Sequence, residues 1–287
     1  MSPESIPQPE RGLEGGPDTG PRNVELDRQN PDLLAPPETD AGTLPNLKFQ
    51  ALDDGVEFLL VFDDGEFSEN STFMISDFFA HTPKSVIAKN FGWSPEHLDR
   101  LPEREKYIFA GQVPPPLERD QVVSPTGDVP RSFKHRLLAQ EPEHFNGGRA
   151  RVADSTNFAA SDTISAALVE IEPGGLRELH WHPTDDEWQY YISGRGRMGV
   201  FASSGQNRTF DYQAGDVGYV PFAFGHYVEN TGSEPLVFLE MFRNPKFEDI
   251  SLSQWMANTP PQVAADTLNL PRRVVESIPK TKTRITA

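Results

Sequence analysis

One stretch in the C-terminal half limits the folds open to this chain more than its composition does. It runs Gly174, five residues, His180-Trp181-His182, four residues, Glu187, six residues, Gly194. A second block follows: Gly215, five residues, Pro221, then His226, three residues, Asn230. Two His at i and i+2 project from the same side of a β-strand. Two imidazoles and a carboxylate supply borderline nitrogen and hard oxygen ligands, which suit a divalent metal. The second block brings a third imidazole, on a neighbouring strand, to the same point. The chain has seven His, and three of them fall in this pattern.

The surrounding sequence fits that picture. From about Thr163 onward short runs of strand-forming residues are broken at Pro173-Gly174-Gly175, Gly194, Ser204-Gly205-Gln206-Asn207, Ala214-Gly215-Asp216 and Thr231-Gly232-Ser233. Evenly spaced strands with such punctuation predict an all-β antiparallel barrel or sandwich. Leu236 to Phe242 reads as its closing strand and Leu252 to Leu268 as a helix. Upstream, Val56 to Phe62 reads as a buried strand by its β-branched and aromatic content. Ser76 to Phe91 reads as helical with a break at Thr82-Pro83, and Pro95 to Leu101 as a short helix capped by Ser94. The segment 114–127, opening on three prolines, reads as a linker. Met1 to Thr43 is poor in hydrophobics and dense in Pro, Gly and acids, so residues 1–29 are expected to form a disordered tail. Residues 271–287 are expected to be a C-terminal tail.

Composition narrows the function classes. A net charge of −17 argues against nonspecific binding to nucleic acid or anionic membranes. No apolar run is long enough to span a bilayer, and the N-terminus shows no secretory core. The chain has no Cys, which rules out disulfides and thiolate metal sites and is compatible with the cytoplasm.

The chain also carries an incomplete internal repeat. Phe58-Leu59-Leu60-Val61-Phe62 lines up with Phe238-Leu239-Glu240-Met241-Phe242, and Ile75 to Pro83 with Leu252 to Pro260. Leu44-Pro45 resembles Val129-Pro130. The first copy keeps its beginning and its end but lacks a middle of about 90 residues, with the junction near Gln50-Ala51. In the second copy that middle holds all four candidate ligands.

The segments Arg177 to Gly194 and Tyr212 to Pro221 resemble the second cupin of the bicupin oxalate decarboxylases, and the likeness extends from about Asn30 to about Leu270. The resemblance implies a jelly-roll cupin over 128–270 with flanking helices, a first-cupin remnant over 51–113, and an N-terminal arm over 30–50 that packs on the intact cupin. It implies manganese as cofactor with dioxygen as co-catalyst, oxalate as substrate, formate and carbon dioxide as products, and a trimer-based homo-oligomer. His180, His182, Glu187 and His226 take the places of the second-site ligands, Arg177 that of the group that steers a carboxylate, and Glu240 that of the acid/base. Ser68-Glu69-Asn70-Ser71 resembles the first-cupin lid, whose Glu supplies the proton that makes formate. Two departures are visible. The family's turn Gly after Pro221 is Ala223, which is tolerable while φ stays negative. A tyrosine beside the second site is Phe247.

Two of these residues are informative without the resemblance. Glu240 lies in the apolar strand Leu236 to Phe242, where burial should raise its pKa unless a cation is near. It is then a candidate acid or base, or else a structural partner of Arg177 or Arg197. Arg177 precedes the first ligand by three residues on the same strand, and a guanidinium matches a carboxylate in a dry site. The ligand set itself accepts Mn, Fe, Co, Ni or Zn. Three functions remain open from the residues: decarboxylase chemistry, oxalate oxidase-type chemistry yielding peroxide, and a non-enzymatic metal-binding or storage cupin. The incomplete repeat leaves two origins open, a truncated form of a two-metal protein or a one-metal variant.

Overall fold

The computed structural model describes residues 58–64, 73–103 and 113–287 of the 287-residue chain. Residues 1–29, the arm at 30–50 and Glu69 with the rest of its lid tetrad lie outside the described residues. The chain divides into two compact units at Asp128/Val129.

The N-terminal unit contains helices α1 (Ile75–Ala80) and α2 (Lys84–Phe91), separated at Thr82-Pro83 as the sequence predicts, and a 3-10 turn over Pro95–Leu98. Its core is small: Ile87, Ala88 and Leu98, with Phe79 and Leu101 packed against them. Val56 and Glu57 of the expected buried strand lie outside the described residues, and the described part does not bear the expectation out. Phe58 to Phe62 form no strand, and Phe58 and Leu60 are 64% and 62% exposed. A strand is buried by its sheet neighbours, and the residues that would supply them in this copy are those the repeat lacks. One helical turn, α3 (Leu117–Asp120), interrupts the expected linker.

The C-terminal unit is built from twelve strands: β1 (Glu143–Phe145), β2 (Gly148–Ala153), β3 (Ser165–Ile171), β4 (Leu176–Trp181), β5 (Glu187–Ser193), β6 (Arg195–Phe201), β7 (Asn207–Gln213), β8 (Val217–Val220), β9 (Gly225–Asn230), β10 (Leu236–Phe242), β11 (Ile250–Ser251) and β12 (Ile285–Thr286). They form two antiparallel sheets, β1-β2-β3-β10-β5-β8 and β11-β4-β9-β6-β7, with β12 added to β4. The architecture is the expected all-β antiparallel cupin, its two sheets packed as a sandwich that does not close into a barrel. Alternation along the strands sends Val169, Ile171, Tyr191, Met198, Val228 and Phe238 into the space between the sheets.

Turn chemistry explains the motif spacing. Gly194 has φ 83°, and a Cβ there would lie 2.6 Å from the Pro235 carbonyl oxygen, so no other residue fits. Ala223 has φ 60°. The condition under which Ala replaces Gly without cost is therefore not met: the turn after Pro221 demands a left-handed residue, and Ala occupies it at a cost. The expected helix Leu252 to Leu268 is two, α4 (Leu252–Asn258) and α5 (Pro261–Leu268), because Pro260 lacks an N–H and disfavours helical Thr259. Residues 271–287 are not a tail. They form α6 (Arg272–Glu276) and β12, and Ile285 is fully buried in the core between the sheets. Among the described residues no helix is long and apolar enough to cross a membrane.

Candidate metal centre

The pleat of β4 turns His180 inward and Leu179 outward, and His182 follows immediately. His226 on β9 stands directly opposite His180 in the register. Glu187 opens β5 in the other sheet. All four side chains are buried, and one ligand atom from each lies within 4.8 Å of the others. The Nε2 atoms of His180 and His182 are 3.2 Å apart, and Glu187 Oε2 lies 3.1 Å from His182 Nε2 and 2.6 Å from His226 Nε2.

Backbone carbonyls set the tautomers. Nδ1 of His180 donates to the Glu178 carbonyl (2.7 Å), that of His182 to the Glu248 carbonyl (2.8 Å), and that of His226 to the Phe224 carbonyl (3.0 Å). A carbonyl only accepts, so each Nδ1 carries the hydrogen and each Nε2 presents a lone pair to the centre. Glu187 is held in turn: Gln189 Nε2 donates to its Oε1 (2.7 Å), and the Tyr191 hydroxyl donates to Gln189 Oε1 (2.8 Å). Phe242 packs on the His182 ring at 4.4 Å, and Phe247 meets it edge-on at 5.9 Å.

The electrostatics follow from crowding these groups out of water. Burial, then Arg177 and the neighbouring imidazoles, holds His180 well below its ordinary value. Burial pushes His182 down as well, but Glu187 outweighs it and the net direction is up. Burial pushes Glu187 up, yet His226 and His182 hold it well below the carboxylate range. Despite their 2.6 Å separation, Glu187 Oε2 and His226 Nε2 make no hydrogen bond, and both are buried. Buried polar atoms left this way need a partner. A divalent cation bound by three imidazoles and a carboxylate supplies one, so the residues present fit a metal.

Arg177 and His180 are three residues apart, a spacing that strict alternation would place on opposite faces. A register shift in β4 between them turns both inward. Arg177 is fully buried; its Nε donates to Glu240 Oε1 (3.1 Å) and its Nη2 to Asp249 Oδ2 (2.9 Å). The two carboxylates respond differently to one guanidinium. Burial raises Glu240, and Arg177 offsets this only in part because Glu187 repels. Burial also opposes ionisation of Asp249, but Arg177, Lys282 and Arg284 together hold it well below the carboxylate range. Arg177 Nη1 and Glu240 Oε2 are buried and make no hydrogen bond. Arg197 pairs instead with Asp211 on the surface.

The sequence reading assigned no role to Gln189, Tyr191 or Asp249. Gln189 was findable, as a polar residue two positions after Glu187 on the inward side of a half-buried strand. Asp249 lies outside the regular strands, and no local pattern marks it.

Comparison with known proteins agrees with this geometry. Residues 135–276 match the Cupin family model. Oxalate decarboxylase OxdC of Bacillus subtilis (strain 168) is 44% identical over 369 residues, covering 96% of this chain and 96% of the relative. The chain belongs to the oxalate decarboxylase family of cupins. That aligned span exceeds the chain's 287 residues, so the relative carries residues inside it that this chain lacks. A probable oxalate decarboxylase of Arthroderma benhamiae is 42% identical over 235 residues, 81% of this chain and 58% of the relative. A solved mutant of the Bacillus subtilis enzyme superposes with a TM-score of 0.78 at 57% identity, covering 82% of this chain and 62% of that one. A structure of the same enzyme concerned with its Mn(II) centres gives a TM-score of 0.73 at 56% identity, covering 78% and 59%. The chain thus spans about three fifths of the fungal relative and of the solved chains.

Proposed function

We propose that this chain binds one manganese ion through His180, His182, Glu187 and His226 and cleaves the carbon–carbon bond of oxalate to formate and carbon dioxide, with dioxygen as co-catalyst. The observation that carries this reading is the pairing of a buried four-donor cluster with a free guanidinium nitrogen and a free carboxylate oxygen on the same two sheets. Such a metal would supply Lewis-acid and one-electron chemistry and open positions for a chelating dicarboxylate.

The protein residues supply the rest. Arg177 Nη1 binds and orients a substrate carboxylate by a charge-assisted hydrogen bond. When the carbon–carbon bond breaks, one carbon leaves as carbon dioxide and the other must gain a proton to become formate. Glu240, raised by burial, is the group that can hold and deliver that proton through Oε2. Phe242 and Phe247 line the His182 side with hydrocarbon, which limits water there. On the same reading the chain assembles as a homo-oligomer, which the apolar residues exposed on α4 and α5, among them Trp255, Val263 and Leu268, support.

The test assays formate and peroxide together on manganese-loaded protein. Glu240→Gln or Arg177→Lys should lower oxalate turnover by about 100-fold or more, while Glu69→Gln changes it little. Peroxide as the main product of the wild type would favour the oxidase reading, and neither product a metal-binding role. Formate production that vanishes in Glu69→Gln and survives in Glu240→Gln would place the chemistry in the other half of the chain.

A further inference from the structure

Asp249 is a buried charge that the chemistry above leaves without a task. Its carboxylate accepts from Arg177 Nη2 (2.9 Å) and from Lys282 Nζ, and Arg284 Nε lies 3.7 Å away. Lys282 Nζ also donates to the Asp249 carbonyl (2.7 Å). Both cations sit just before β12. That strand and β11 pair with β4, placing Ile285 opposite Arg177 and Ser251 opposite His180.

A guanidinium beside one carboxylate tends to take both of its oxygens, fork to fork. Arg177 does not. Its side-on edge is divided: Nε goes to Glu240 and Nη2 to Asp249. Division is what leaves Glu240 Oε2 without a hydrogen bond inside the protein, beside Arg177 Nη1, which lies off that edge and also makes none. Without Asp249, Nη2 would swing to Glu240 Oε2, and the pair would close on itself.

We propose that Asp249 is a positioning residue that draws Arg177 Nη2 away from Glu240 and so keeps Glu240 Oε2 free, next to Arg177 Nη1, for a dicarboxylate. The inference rests on the functional reading above. It differs from a merely structural role, in which Asp249 would serve only to anchor β12 through Lys282.

The experiment measures oxalate binding to manganese-loaded protein without oxygen, with metal content determined for each variant. Asp249→Asn keeps the shape and one acceptor but loses the charge. It should weaken oxalate by at least about tenfold, the loss expected for one charge-assisted contact, at unchanged metal content. Lys282→Met cuts the same anchor to β12 but leaves the Arg177–Asp249 pair, and it should shift oxalate affinity by less than about threefold while lowering thermal stability. Equal loss of oxalate affinity in both variants means an anchoring role and overturns the proposal. If Asp249→Asn does not fold, Asp249→Glu keeps the charge, moves the carboxylate by one methylene, and should weaken oxalate in the same direction. Wild-type affinity in whichever of the two variants folds also overturns it. A wild-type protein that binds manganese but no oxalate refutes instead the functional reading beneath it.

Discussion

Gln189→Leu separates what the structure says about metal binding from what it says about folding. Gln189 is completely buried and makes two contacts: Nε2 donates to Glu187 Oε1 at 2.7 Å, and Oε1 accepts from the Tyr191 hydroxyl at 2.8 Å. Gly218 makes room for it, since a Cβ there would lie 2.8 Å from Gln189 Oε1. Leucine fills a similar volume and removes both contacts. Losing the donor that orients a ligating carboxylate should lower metal affinity about 10- to 100-fold. The Tyr191 hydroxyl, buried and now without an acceptor, should cost a further ~1–3 kcal/mol of folding stability. In a domain of this size each kcal/mol lowers Tm by roughly 2–4 °C. Competition against a chelator reads the first effect, and thermal unfolding in excess chelator reads the second. Adding Tyr191→Phe removes the stranded hydroxyl, so the double variant should regain much of the stability lost but none of the metal affinity. Wild-type metal affinity in Gln189→Leu, or no recovery of stability in the double variant, would refute the relay from Tyr191 through Gln189 to Glu187.

Metal analysis of the pure chain should find one tightly bound divalent ion, and His182→Ala should lose most of it; two equivalents of manganese would contradict the single ligand set found among the described residues. Asp249 gives a pH signature: its folded pKa is depressed by Arg177, Lys282 and Arg284 against the effect of burial, so its stabilisation is complete above the unfolded value near ~4 and is lost as pH falls through the folded value. The stability gap between wild type and Asp249→Asn in urea melts should therefore shrink on going from neutral pH to pH ~3, and a gap that widens would count against the assignment. Ala223→Gly should be neutral or stabilising by up to about 1 kcal/mol, because relief at φ 60° offsets the extra freedom of Gly in the unfolded chain; destabilisation by more than that would show that the turn imposes no strain.

The candidate ligand cluster was legible because its information is local. Alternation on a strand puts His180 and His182 on one face, and the glycines that turn the chain fix how far away Glu187 and His226 can be. The same logic placed the strands between Thr163 and Phe242. Glu240 was legible for a different reason: an acid in an otherwise apolar run marks itself. The single helix expected over Leu252 to Leu268 overlooked the sign that Pro260 gives, and Ile285 gave no sign at all, since an isolated Ile near a chain end becomes core only when a free edge of β4 accepts it.

What the sequence could not supply were the relations between segments far apart in the chain. Whether Phe58 to Phe62 is buried depends on sheet neighbours elsewhere in the chain, and the run is exposed. Arg177 faces inward because of a register shift in β4 that belongs to its pairing with β9. The His tautomers depend on carbonyls, one of them from Glu248, 66 residues from His182. Asp249 reaches Arg177 across 72 residues. Sequence alone determined which side chains could hold the metal, because strand periodicity and turn stereochemistry act over a few residues. Tertiary structure decided which hydrogen each imidazole carries and which atoms of Arg177 and Glu240 stay free, because those depend on partners that only sheet packing brings into reach.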